Sequence, residues 1–170
     1  QGVDQTGLSQ KAGAVVSHLH IAASDADIAT ATVADGDADL YLSGDVLQAG
    51  SAAHLAKVAP GRTVAVVDTD FVPTAGMLQG NGSVDPSRLA AAITEAVGED
   101  RTALVDSTGL AERVFGNHLA ANVVLLGVAF QRGALPLPLA ALQRAIDDTP
   151  AAAMNREAFE WGRWLAAALH

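Results

Sequence analysis

Lys11 is one of only two lysines among 170 residues, and it stands in a glycine-bounded turn, "GLSQKAG", between Gly7 and Gly13. Glycines there let backbone N–H groups converge, and a lysine adds a point charge, the combination that makes an anion nest. An ordinary solvent-facing loop lysine is the competing reading. His18 and His20 follow, two residues apart and so on one face of the strand they end. That spacing suits two zinc ligands, but no third ligand is placed by the sequence. A polar strand end beside a ligand fits better than zinc, and plain hydrogen-bonded histidines fit better still. Asn122 interrupts the apolar run "LAANVVLLGVAF". A buried amide without partners costs on the order of 1–3 kcal/mol, so Asn122 either bonds a helix to a loop or lines a site. The acidic turn "ADGDAD" is expected to be solvated rather than to hold a metal. "GNG" at Gly80–Gly82 lacks a third glycine and reads as a turn. No catalytic side chain and no metal-ligand set is assigned.

Composition narrows the function classes. Ten Lys and Arg against nineteen Asp and Glu give a net charge of −9. The arginines are scattered from Arg62 to Arg163, so no cationic cluster offsets that charge and no nucleic-acid partner is expected. No apolar run approaches the ~18–20 residues that cross a bilayer, and no charged-then-apolar leader is visible, so no membrane partner and a cytoplasmic address are expected. The absence of cysteine excludes disulfides, thiolate catalysis and cysteine-held iron–sulfur clusters in this chain. Gln1 is not a natural start, which suggests a piece of a longer polypeptide.

The elements that must position these residues alternate between strand and helix. Strands are predicted at 13–21, more weakly near "DIATATV", at 38–43, at 62–68 and over "TALVDST". Helices are predicted over "VLQAGSAAHLAKVA", from Asp85 and Pro86 to Gly98, over 110–133 with a break near Gly116, after Pro138, and at the C-terminal end. In the last helix Phe159, Trp161, Trp164 and Leu165 are expected to pack inward. No hairpin signal is evident, so the fold class is α/β with a mostly parallel sheet. Ligands bind such sheets at the C-terminal strand ends. That rule selects His20, Gly44 with Asp45, Asp68 to Asp70, and Asp106 with Ser107.

The stretch "DQTGLSQKAGAVVSHLHIA" resembles the "DQTGLAQKGGAVxSHVRIA" signature of the fused indolepyruvate ferredoxin oxidoreductases, in their gamma-type pyruvate/ketoisovalerate oxidoreductase domain. The resemblance continues through "DGDADLYLSGDVLQAGS", "APGRTVAVVDTDFVPT", "LAERVFGNHLAANVVLLGVAFQRGALPLP" and "NREAFEWGR", and so covers nearly the whole chain as one domain, 1–170. It implies a Rossmann-like three-layer fold whose first strand and Gly-rich turn would lie upstream of Gln1. It also implies an enzyme that converts a 2-oxoacid such as indolepyruvate with coenzyme A to acyl-CoA and carbon dioxide, reducing ferredoxin. Thiamine diphosphate, magnesium and iron–sulfur clusters would sit in other domains or subunits, none of them bound by this chain, and the isolated domain would be inactive. Homo-oligomerisation is expected. By the same resemblance Gln10, Lys11, Gly13, Ser17 and His18 face the ligand, with His20 and Asn122 as further candidates. The sequence departs from the family pattern at Ala12 (glycine), His20 (arginine), Gly44 (often cysteine) and Asp68 (usually asparagine). Losing an arginine and gaining an acid both weaken anion binding. A stand-alone small-molecule binding module, or a structural dimerisation layer, are the alternatives.

Overall fold

The computed structural model describes residues 2–6 (backbone only), 15–24, 28, 30–71 and 85–168. The strands are β1 (Gly2–Thr6), β2 (Val15–Leu19), β3 (Leu40–Ser43), β4 (Val64–Asp68) and β5 (Thr102–Val105). The helices are α1 (Val46–Ala49), α2 (Ala52–Leu55), α3 (Pro86–Val97), α4 (Ser107–Phe115), α5 (Ala121–Gln131), α6 (Leu139–Asp147) and α7 (Ala152–Ala168). Strands β3, β4 and β5 form a parallel sheet in that order, with Leu40 opposite Val64 and Ala65 opposite Thr102.

Strand β4 is buried along its whole length, which is why "VAVVD" reads as an unbroken apolar run up to its last residue. Its side chains alternate between two cores. Val64 and Val66, with Ala103 and Val105, pack on Leu125, Val128 and Ala129 of α5 and Ala166 of α7. Ala65 and Val67 pack on Val46 and Ala49 of α1 and on Ile93 and Val97 of α3. Helices therefore cover both faces, giving the three-layer α/β architecture that the strand–helix alternation predicts.

Local signals set several boundaries. Asp85 caps α3 by accepting from the Ser87 N–H at 2.9 Å and its hydroxyl at 2.6 Å, and Pro86 fills the first helical position. The Ser87 hydroxyl bond, then the Ser87 N–H, hold the Asp85 carboxyl below the usual carboxylate range. Gly116, at φ 62°, takes the left-handed conformation that closes α4.

Four expectations need correction. Strand β2 is not part of the parallel sheet; it pairs antiparallel with β1, Gly2 opposite Leu19, in a separate two-stranded sheet. Residues 30–33 form no strand. The helix predicted from Val46 is two single turns parted at Gly50, where α3 crosses: a Cβ on Gly50 would stand 2.7 Å from Leu89. Of the aromatic residues in α7, Phe159 is buried, but Trp164 is 61 % exposed.

Tyr41 is the only tyrosine in the chain. Its hydroxyl donates to the Ala49 carbonyl at 2.9 Å, and burial pushes its pKa up from 10.0 to about 12. The neutral phenol is thus favoured in the fold, so its contribution to stability is complete below pH 10 and lost as pH rises towards 12. An ultraviolet phenolate titration should show a single midpoint well above 10 in the native chain, falling to the ordinary value in urea. A native midpoint at 10 would contradict this packing of Tyr41.

Candidate functional site

The C-terminal ends of the three parallel strands form the polar edge of the sheet. Its centre is Asp68, the last residue of β4, with no exposed surface. One carboxylate oxygen accepts from the N–H groups of Asp70 at 3.0 Å and Ser107 at 3.2 Å. The other accepts from the Ser107 hydroxyl at 2.5 Å, the Thr108 N–H at 3.0 Å and the Thr108 hydroxyl at 2.6 Å. A buried carboxylate persists only when its lone pairs are satisfied, and five donors do that here. Asp68 thereby ties the end of β4 to the first turn of α4, and it fixes the start of the segment through Thr69 and Asp70.

The flanking acids are occupied by capping. Asp45 accepts from Leu47 N at 2.8 Å and starts α1. Asp106 accepts from Gly109 N at 2.9 Å, starts α4, and pairs with Arg113 at 3.2 Å. The strand-end rule therefore locates these residues correctly, while their contacts give them structural work. The Ser107 hydroxyl is fully buried against Asp68, which keeps it from acting as a nucleophile on a bound molecule.

Asn122 lies on the same edge. Its amide oxygen is 3.5 Å from where a Cβ on Gly44 would stand, at the end of β3. Contrary to the expectation of a buried amide, Asn122 is exposed, and among the described residues it has no hydrogen-bond partner. Gly44 is small enough to leave the amide beside it accessible. Thr69 and Gly44 are exposed as well, and Asp70 is half-buried. This edge can therefore offer hydrogen bonds from Asn122 and the strand-end backbone, and among the described residues it positions no acid–base pair.

His18 and His20 are both half-buried at the end of the hairpin, where the strand-end rule for parallel sheets does not apply. His18 Nδ1 accepts the Val33 N–H at 3.2 Å, so its proton is on Nε2 and the ring anchors the hairpin to the following segment. No group of three or more metal-ligating side chains occurs among the described residues. The "ADGDAD" acids are exposed and ion-paired: Asp35 with Lys57 at 2.7 Å, and Asp37 and Asp39 with Arg62 at 2.7 and 2.9 Å. Ser17 is exposed on the hairpin. Gln10, Lys11 and Gly13 lie outside the described residues, as does the 72–84 segment. Thr108 escaped the sequence reading, because nothing local signals that its two donors meet an acid 40 residues upstream.

No curated protein matches the chain. A family profile described as "Pyruvate ferredoxin/flavodoxin oxidoreductase" matches residues 1–164. A match over nearly the whole length includes the hairpin as well as every element that builds the polar strand edge: the chain belongs to the pyruvate ferredoxin/flavodoxin oxidoreductase family, whose whole enzymes oxidise a 2-oxoacid and pass the electrons to a small redox protein.

Proposed function

We propose that residues 1–170 are the gamma-type domain of an indolepyruvate-type, cytoplasmic 2-oxoacid:ferredoxin oxidoreductase. In this reading the domain packs beside the thiamine site and shapes the mouth through which coenzyme A or the oxoacid enters. The family match over residues 1–164 carries the reading. The exposed Asn122 amide beside Gly44 supports a ligand-facing role for the strand edge. The chemistry belongs elsewhere in the enzyme. Without cysteine this chain has no thiolate for an iron–sulfur cluster, and the described residues present no set that suits the magnesium of thiamine diphosphate. The described residues do not fit these cofactors.

Lys11 is the proposed anion contact, with Gln10, Gly13, Ser17, His18 and His20 as the accompanying ligand-facing candidates. On a chain of net charge −9 an anion is repelled at most other places. A charge-assisted contact of this kind is worth about 1.5–3 kcal/mol, so Lys11→Ala should raise a Michaelis constant roughly ten- to a hundredfold. The measurement is made on the reconstituted enzyme, with coenzyme A and the oxoacid varied separately. A change under about twofold for both would reduce Lys11 to an ordinary loop lysine.

A further inference from the structure

Helix α7 carries both tryptophans of the chain. One side of α7 is locked onto α5 by Ala158, Phe159, Gly162 and Ala166, all buried. The other side is open. Trp161 and Trp164 meet edge to face there, with centroids 5.7 Å apart and planes at 83°. With Glu157 and Glu160 they line an open groove of about 340 Å3.

The chemistry of this groove is specific in sign. Indole faces carry negative charge density and attract cations, and the Glu157 carboxylate at the rim adds to that attraction. Glu160 is held by Arg163 at 2.9 and 3.1 Å. Arg163 is itself occupied, bonded to Gln131 at 3.2 Å and stacked over Phe130 at 5.6 Å. Glu157 has no ion pair among the described residues. An anion would be repelled by Glu157, and a purely apolar partner would have to strip water from its carboxylate without compensation. A second copy of the chain is disfavoured too, since it would bring the same acidic rim and another net charge of −9.

We propose that this face of α7 docks an arginine-bearing segment of polypeptide from outside residues 1–170. The guanidinium plane stacks on the exposed indole of Trp164 while its N–H groups reach Glu157, a geometry that a lysine ammonium matches less well. Aromatic residues meeting arginine at a desolvated centre are the usual anchors of protein interfaces. The proposal concerns a face of α7 and does not rest on the reading of the strand edge.

The test uses the enzyme assembled in the cell, with the photo-reactive benzoylphenylalanine in place of Trp164. That position is 61 % exposed, so the substitution leaves the core alone. After irradiation the adduct is mapped by peptide mass spectrometry. The expected result is one major adduct on a segment from outside residues 1–170 with an arginine within a few residues of the linkage. Adding Glu157→Gln should lower its yield at least threefold, with an unchanged circular dichroism spectrum. An adduct to a second copy of this chain, an adduct to a segment without arginine, no adduct, or an unchanged yield in Glu157→Gln would each overturn the proposal.

Discussion

Gly162→Ala should destabilise the domain by about 3 kcal/mol or more, the upper end of the range for overpacked interiors. Helices α5 and α7 touch backbone to backbone. A Cβ on Gly162 would stand 2.0 Å from the Val124 carbonyl oxygen and 3.0 Å from the Gly127 Cα. A Cβ on Gly127 would stand 2.2 Å from the Phe159 carbonyl oxygen. These neighbours are main chain, so no rotamer change relieves the contact. Alanine gains about 1 kcal/mol over glycine in helix propensity, which the clash outweighs. For a domain of this size the melting temperature should fall by roughly 6–12 °C. Gly127→Ala should act similarly, and the double variant should cost less than the sum, because the first substitution already separates the helices. A melting temperature that holds or rises in Gly162→Ala would mean that the two helices are not in backbone contact.

Asp68→Ala is expected to cost ~3 kcal/mol, since it removes the acceptor of three backbone N–H groups, that of buried Ser107 and those of half-buried Thr108 and Asp70. The two hydroxyls can rotate, but the three backbone donors cannot. Asp68→Asn should fall between wild type and alanine. Its oxygen can still serve Ser107 and Asp70, while its NH2 faces the Thr108 N–H and can bond only to hydroxyls that now accept. Urea unfolding of the three proteins gives the order directly, with Asp68→Ala below Asp68→Asn below wild type. An alanine variant within ~0.5 kcal/mol of wild type would contradict the five-donor arrangement.

What could be read in advance follows the range of the forces. The start of α3 is legible because Asp85, Pro86 and Ser87 set it within three residues, and the close of α4 because Gly116 adopts a conformation that other residues resist. The buried run of β4 needs both faces covered, so its apolar continuity marks it as the central strand. The hairpin was not legible: β1 and β2 pair across an eight-residue interval, and no two-residue turn announces them. The break at Gly50 comes from α3 pressing Leu89 against that position, a contact 39 residues away in sequence. Asn122 was misplaced for a related reason. Its neighbours in the run are apolar, but it occupies the first turn of α5, where the helix emerges at the sheet edge. Trp164 shows the limit of reading bulk as burial, since small residues supply the close contact of α7 and leave the indole outside. At the site, position came through and connection did not. Asp68 is visible as a strand end, whereas four of its five donors lie 39 and 40 residues downstream.

We propose that this chain serves a 2-oxoacid oxidoreductase without performing its chemistry. The most direct measurement is oxoacid- and coenzyme A-dependent reduction of a viologen dye, made anaerobically on the purified chain and on the enzyme assembled with its thiamine- and cluster-binding parts. The account predicts no reduction and no visible cluster absorbance from the chain alone, and indolepyruvate-dependent reduction from the assembly. Turnover or cluster absorbance in the chain alone, or an equally active assembly lacking this chain, would contradict it.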